Sequence, residues 1–417
     1  MKYAIIGAGI SGLSVASILS VNNEVVVFEG NDSPGGLIRC KQIQGSLFHQ
    51  CGGHIFNTKR KDVYDWFWNF FNRERDFISA ERNAVVSFDE CCFVPYPVEN
   101  HIYRFDEKTC KNIIKDLIDL SKDNALPPSN FEEFLRRRFG ETLYNLYFEP
   151  YNLKVWKTSL KNIPLSWLDG KLPMPHLEDI LYHNIYRVEE KTFVHSSFYY
   201  PKKGGSQFIA DTLASKIDVR YNHRINEIKR EREQYLICSE LFDRVVFCGN
   251  IKQLPRLIAD SVDISNFVQS IDNLAWHGTT SVFCELEQNS YSWVYMPSRK
   301  HESHRIICTG NFSPQNNFTD KLTGTVEFTD YKSEEEIIDN LKRIPFSPKY
   351  LASNYEKYTY PIQHEGNREM IQQLKRKLSV YGIYLTGRFA DWEYYNMDAA
   401  IGAAIDTVAT IDENSSY

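Results

Sequence analysis

Three glycines and one carboxylate near the start of the chain have the spacing of a diphosphate cradle. Gly7, Gly9 and Gly12 stand in GAGISG. In such a turn the first glycine permits the tight bend, the second lets the backbone approach a pyrophosphate, and the third lets helix and strand pack closely. A helix opening there presents free N–H groups and a positive dipole end to the anion, and Ser11 belongs to the same turn. Glu29 follows about twenty residues later, where a carboxylate accepts from ribose hydroxyls, and it argues against the 2′-phosphate of NADP. The elements required to hold these groups are legible around them. YAII (3–6) reads as a strand, Ile10, Leu13, Ala16, Ile18 and Leu19 recur at helical spacing, and EVVVFE (24–29) is a β-branched run suited to a strand buried on both faces.

NDSPGGLIRC, just past Glu29, resembles the Gly-Gly segment that many FAD proteins place beside the diphosphate and flavin. It makes Gly35 and Gly36 candidates, with Arg39 on the flavin side, and points to FAD as the dinucleotide. A second GxGxxG is absent, which argues against a two-dinucleotide reductase or monooxygenase.

Composition restricts the rest. The chain has 417 residues, long enough for two or three domains. A net charge of −6 argues against a nucleic-acid partner held by phosphate neutralisation. The 25 Tyr and 26 Phe suit flavins, bases and sugars, although any single ring serves equally well in a core. Nine scattered Cys without a CxxC pair read as reduced thiols in a cytoplasmic protein, with neither a disulfide framework nor a metal site. The apolar start imitates a signal peptide, but its glycine spacing fits strand, turn and helix better. No window reaches the length of apolar sequence that a membrane span needs.

Farther along, residues 105–190 turn helical, Pro127-Pro128 separates two helices, and Ser129 is the expected N-cap of the second. Residues 217–300 and 305–360 read as short strands. The last segment, GIYLTGRFADWEYYNMDAAIGAAIDTVATI, reads as strand, loop and helix. The fold class expected is α/β, a Rossmann-type FAD-binding domain with a helical insert and an antiparallel β-sheet domain. The FAD domain is discontinuous (1–90, 200–260 and 355–417), the helical substrate or oligomer domain spans 100–198, and the sheet domain spans 261–354 with part of 85–100.

From CGGHIFNT (51–58) onward the chain resembles the UDP-galactopyranose mutases, their eukaryotic-type branch in particular. CFVPYPVENHI (92–102) is similar to the segment holding the nucleotide base, and PYNLKVWKTSLKNIPLSWL (150–168) to their PYNxKVW stretch. YYPKKGG (199–205) resembles a loop near the flavin, SHRIICTGNFSP (303–314) the strand with a diphosphate-binding arginine, YTYPI (358–362) the source of an active-site tyrosine, and LTGRFADWEYYNMD (385–398) the C-terminal flavin motif.

The resemblance implies roles residue by residue. His54, beside Gly53, would lie at the flavin and respond to its redox state, and Arg82 would contact the isoalloxazine. Gly387, Arg388 and Met397 would serve FAD. Tyr96, Glu99, Tyr151, Asn152, Trp156 and Asn311 would border the nucleotide and sugar, with Asn396 near the galactose. Arg305 would neutralise the diphosphate, with Tyr360 and Tyr394 as phosphate-binding hydroxyls. From the residues alone, His54 reads equally as an ordinary buried histidine and Arg305 as a surface strand arginine. Tyr151 and Trp156 need not share a helix face, and which of Tyr394 and Tyr395 points inward stays open.

The implied reaction is interconversion of UDP-galactopyranose and UDP-galactofuranose, or a close analogue, for cell-surface polysaccharide or lipopolysaccharide biosynthesis. It runs through attack of reduced flavin N5 on the anomeric carbon. The partners are the nucleotide sugar, a reductant such as NAD(P)H, and a second copy of the chain, since dimers are common among such enzymes. Two positions depart from the family. Lys171 stands where a second diphosphate arginine is usual, keeping the charge but losing the planar fork. Glu99 stands where glutamine is usual. The rival reading from the shared FAD domain is an amine-oxidase or desaturase-type oxidoreductase, and a third is a non-catalytic FAD-binding scaffold.

Overall fold

The computed structural model describes residues 1–89, 92–122, 127–165, 175–188, 197–318 and 320–415. Its N-terminal strand β1 (Lys2–Ile6) lies at the centre of a five-stranded, wholly parallel sheet. The order is Ile383–Leu385, Arg244–Phe247, β1, β2 (Glu24–Phe28) and Asp218–Arg220. Side-chain alternation divides β1 between two cores. Tyr3 and Ile5 pack with helix α1 (Ile10–Leu19) and the C-terminal helix Met397–Ser415, whereas Ala4 and Ile6 join Leu374, Leu378 and Trp392 on the other face. Burial on both faces is why β2 is an unbroken apolar run rather than an alternating one.

The second sheet has seven strands in the order Lys349–Pro361, Trp276–Leu286, Leu322–Thr329, Arg305–Ile307, Trp293–Tyr295, Ala84–Asp89 and Cys92–Pro95. It is antiparallel except where Trp293–Tyr295 runs parallel to Ala84–Asp89, so the antiparallel expectation is amended at one pair. Two strands are long rather than short, and Lys349–Pro361 runs through the position where the sequence suggested a domain boundary at 355.

Helices Glu107–Leu120, Phe131–Leu143, Glu149–Trp156 and Leu177–Tyr186 make up the helical layer. The N-cap of the second is Asn130, not Ser129: its side chain accepts from Glu133 N at 3.0 Å, while Ser129 N–H donates to the Glu133 carboxylate. Asparagine and serine cap equally well, so sequence could not choose between neighbours. Val86, Val94 and Tyr360 of the large sheet pack into the core of this layer, and the second cavity described below opens at that seam. Among the described residues, no helix is long and apolar enough to cross a membrane, and no group of His, Cys, Asp and Glu is placed to hold a metal.

Candidate active site

The first cavity, of about 310 Å³, is built on the turn between β1 and α1. A Cβ at Gly12 would fall 1.9 Å from Gly7 O, so only glycine lets the helix leave the strand so closely. A Cβ at Gly9 would meet nothing within 4 Å, because it would project into the cavity. Gly7, Ser11, Gly35, Gly36, Gly387 and Met397 line the same space. Glu29 lies there too, but its carboxylate is already engaged with the protein. Oε2 accepts from Ala8 N at 2.8 Å, and Oε1 accepts from Asn31 N at 2.9 Å and Asn31 Nδ2 at 2.6 Å. It therefore clamps the cradle in addition to facing the cleft.

Three buried polar atoms of this wall lack a partner: His54 Nε2, Arg388 Nε and Asn250 Nδ2. Other buried polar atoms of the described residues also lack a partner, but these three converge on one cavity, an arrangement that suits a ligand rich in acceptors. A glycine-lined helix N-terminus together with these donors fits a flavin dinucleotide. Asn250 was not among the residues singled out from sequence. Its position just past the end of parallel strand Arg244–Phe247 was the available signal, since open α/β sheets bind ligands at that edge.

Burial holds His54 at about 4, reinforced by the positive charge of Arg388. Behind it His49, pushed to about 3 by burial, accepts from His54 N at 3.3 Å and bonds Tyr200 OH at 2.7 Å. Both imidazoles are neutral at neutral pH.

The second cavity, of about 230 Å³, lies between the helical layer and the large sheet. Helix Glu149–Trp156 supplies Tyr151, Asn152 and Trp156, and all three line it. Asn152 spends its amide internally, donating to Phe148 O at 2.7 Å and accepting from Trp156 Nε1 at 3.2 Å, so it orients the indole. Lys154, on the same helix, donates to Met296 O and Ser303 O at 2.9 Å each and ties the helix to the loop before Arg305.

Arg305 is not a surface arginine. Its Nε donates to Glu327, its direct cross-strand neighbour, and its Nη2 donates to Tyr360 OH at 3.2 Å. Glu327 is fully buried. Its other oxygen accepts from Gly52 N at 2.8 Å, and His304 Nε2 lies 3.6 Å from its Oε2. Burial is the largest single influence and would raise this carboxyl, but the Arg305 charge together with the interactions of His304 outweighs it and holds the group well below the carboxylate range. Glu327 was missed from sequence, although a glutamate inside the wholly buried strand Leu322–Thr329 is itself a signal.

The two cavities share a wall. Tyr394 stacks on Tyr360 at 5.0 Å and faces the second cavity, while Tyr395 faces the first, which settles which ring points where. Arg388 lies between them, 4.2 Å from the Tyr394 ring centre and 5.4 Å from that of Tyr360. His277, also not singled out from sequence, stacks on the far side of Tyr360 at 4.5 Å.

Not every residue singled out from sequence lines a cavity wall. Tyr96 and Glu99 line the second cavity, but Asn396 lines the first. Arg82 donates to Tyr295 OH at 2.6 Å and lies over the Tyr96 and Trp293 rings. Arg39 lines neither cavity and closes the Gly35-Gly36 turn by donating to Gly36 O at 3.1 Å. Gly53 is packed against Ile307, 2.6 Å from where a Cβ would stand. Asn311 is exposed and donates to Asn289 O and Tyr291 O, a loop contact away from both cavities. Lys171 lies outside the described residues.

Comparison with known proteins agrees with this geometry. Residues 5–73 match the NAD(P)-binding Rossmann-like domain. The UDP-galactopyranose mutase of Mycoplasma genitalium is 24% identical, over 95% of this chain and 91% of the mutase. A crystal structure of reduced UDP-galactopyranose mutase superposes with a TM-score of 0.85 at 22% identity, covering 98% of this chain and 96% of its own. A putrescine oxidase bound to putrescine shares the architecture at a TM-score of 0.67 and 16% identity, covering 99% of each chain. By sequence over nearly its whole length, and by fold, the chain is similar to the UDP-galactopyranose mutases.

Proposed function

We propose that this chain is a flavin-dependent isomerase that interconverts the pyranose and furanose forms of a UDP-sugar, UDP-galactose or a close analogue, with FAD as the cofactor. One observation carries the reading. A cationic, tyrosine-flanked pocket at Arg305 lies against the dinucleotide cleft, with Arg388 of the cleft over the Tyr394 ring of the pocket. An amine oxidase of this fold needs no anion-binding group at that place. The weaker superposition on putrescine oxidase likewise favours the mutase reading.

Bound FAD, in its reduced form, supplies the nucleophile for the anomeric carbon. The chain's residues do the rest. Arg305 neutralises the diphosphate as the leaving group, and Tyr360 and Tyr394 add hydroxyl donors. Glu327 fixes the guanidinium in its strand, and Lys171 provides a second cation by its match to the family. Tyr96, Tyr151 and Trp156 wall the nucleoside and exclude water from it. His54, neutral and with Nε2 unpartnered, offers its ring to the cofactor rather than a charge. Asn396 and Met397 complete the cofactor side. Reduction by NAD(P)H or another cellular reductant, a homodimeric state and a cytoplasmic role in cell-surface glycan biosynthesis belong to the same proposal.

The test is to reduce the FAD-loaded protein with dithionite under nitrogen, add UDP-galactopyranose and separate the products. A new peak of unchanged mass that is absent with oxidised protein is expected. Rapid oxygen-dependent reoxidation without isomerisation would instead select the oxidase reading. Arg305→Ala should weaken UDP binding by ~10–100-fold, the worth of hydrogen bonds to a charged group. Unchanged affinity would remove the diphosphate site.

A further inference from the structure

The loop 50–54, which carries His54 into the wall of the cofactor cleft, is held from two sides. Glu327 accepts from Gly52 N on one side. His49, the last residue of strand Ser46–His49 and wholly buried, accepts from His54 N on the other. His49 lines neither cavity, and the reaction proposed above makes no use of it.

The bonds around His49 leave it one protonation pattern. A backbone N–H can only donate, so Nδ1, 3.3 Å from His54 N, carries no proton. Ser206 Oγ also lies 3.3 Å from Nδ1, but its proton goes to Ile38 O at 2.6 Å. The ring proton of neutral His49 is therefore on Nε2 and is donated to Tyr200 OH at 2.7 Å. Asn316 Nδ2 donates to the same hydroxyl at 3.0 Å and to Thr309 O at 2.8 Å, which fixes the phenol in turn. The His49 ring stacks with those of His54 and Tyr200, at 5.9 and 5.8 Å. His49, Tyr200 and Asn316 are all buried, so a partner lost from this network leaves a buried group unsatisfied.

The same reasoning reaches His54. Its ring donates to the Cys51 backbone, while Nε2 has no partner. The ring proton is then on Nδ1, and Nε2 is a bare acceptor. Reduction of a flavin adds two electrons and makes N5 an N–H donor, so an acceptor held at the cleft favours the reduced form. Resting on the FAD reading above, we propose that His49 is a positioning residue for the cofactor. With its tautomer fixed by Tyr200 and Asn316, it holds the His54 backbone so that the His54 ring is presented to the cleft as an acceptor, which biases the flavin toward reduction.

The test measures the flavin midpoint potential of the FAD-loaded protein by dye equilibration with dithionite, together with hydrogen exchange of the segment 50–54. His49→Asn places its amide oxygen where Nδ1 stood and keeps the acceptor for His54 N–H. His49→Gln reaches instead to the place of Nε2 and keeps only the Tyr200 contact. H49Q should disfavour the reduced flavin roughly tenfold, a fall of about 30 mV for a two-electron couple, and speed exchange in the loop. H49N should stay near wild type in both. Tyr200→Phe leaves His49 in place but removes its anchor, and should shift the potential less and in the same direction; it carries the test if the His49 variants do not fold. Wild-type potentials in H49Q and Y200F would overturn the role of His49 and leave the FAD reading intact. Equal falls in H49N and H49Q would overturn it too, since the imidazole would then matter for its bulk and not for its acceptor. Folded wild-type protein that takes up no FAD would overturn the cofactor reading itself.

Discussion

Glu327 shows how much of the site rests on one side chain that touches neither proposed ligand. One oxygen holds Gly52 N–H, in the loop that carries His54, and the other holds Arg305, so a single buried carboxylate positions groups of both cavities. Removing one partner of a buried pair leaves the other charge uncompensated, which costs far more than the pair contributes. Glu327→Gln keeps an acceptor for Gly52 but abandons the guanidinium, and should lower stability at neutral pH by about 3 kcal/mol in urea unfolding of the FAD-loaded protein. The pH dependence has a definite sign. A carboxyl held low in the folded chain contributes stability that is present above its ordinary value of 4.5 and is lost as pH falls toward the folded value. Wild-type protein should therefore lose stability on acidification below that value, and the variant should lack this component of the loss. Equal acid profiles would mean that the Arg305–Glu327 pair contributes nothing net.

At the scale of elements, the β1–α1 turn divides its glycines between folding and binding. Gly9 has ordinary extended backbone, with φ of −70° and ψ of 174°, and faces open space. Gly9→Ala should fold with stability changed by less than about 0.5 kcal/mol, yet bind FAD at least tenfold more weakly, because the methyl occupies the diphosphate's place. Gly12→Ala should cost about 1–3 kcal/mol in the apo-protein, since its methyl meets a backbone oxygen rather than empty space. Apo-protein melting and FAD titration separate the two. This division also explains what sequence could and could not disclose. The glycine spacing and the buried run of β2 are local patterns, and local patterns are readable. Tyr96, Tyr151, Tyr360 and Tyr394, by contrast, were singled out only through the family resemblance, and Tyr147 and Tyr295 of the same cavity were not singled out. The Arg305–Glu327 pair is not local. It exists because Arg305–Ile307 and Leu322–Thr329 pair in a register that places the two residues opposite each other, and no spacing along the chain encodes that register. Asn311 illustrates the converse. It sits in a segment that resembles a binding stretch, but its amide is consumed by two loop carbonyls.

At the scale of the whole molecule, the parallel sheet brings the cofactor cleft, the large sheet and helical layer bring the anion pocket, and Arg388 is where they meet. It lies over Tyr394 and Tyr360, donates to Tyr395 O at 3.1 Å, and its charge adds to burial in keeping His54 neutral. A cation between two aromatic faces and a cofactor cleft transmits charge from one compartment to the other without any moving part. A diphosphate bound at Arg305 should consequently be sensed by the flavin. Arg388→Gln keeps a planar N–H donor on a shorter stem but discards the charge. His54, read by the NMR titration of its ring protons, should rise from about 4 while remaining below 6.5, since burial persists when the charge is gone. The change in flavin absorbance on adding UDP should shrink in the same variant, even at concentrations that saturate the pocket. A His54 titration that does not move would show that burial alone sets its protonation. An undiminished spectral response would mean that the compartments communicate by another route, for which the Gly52–Glu327 contact is one candidate.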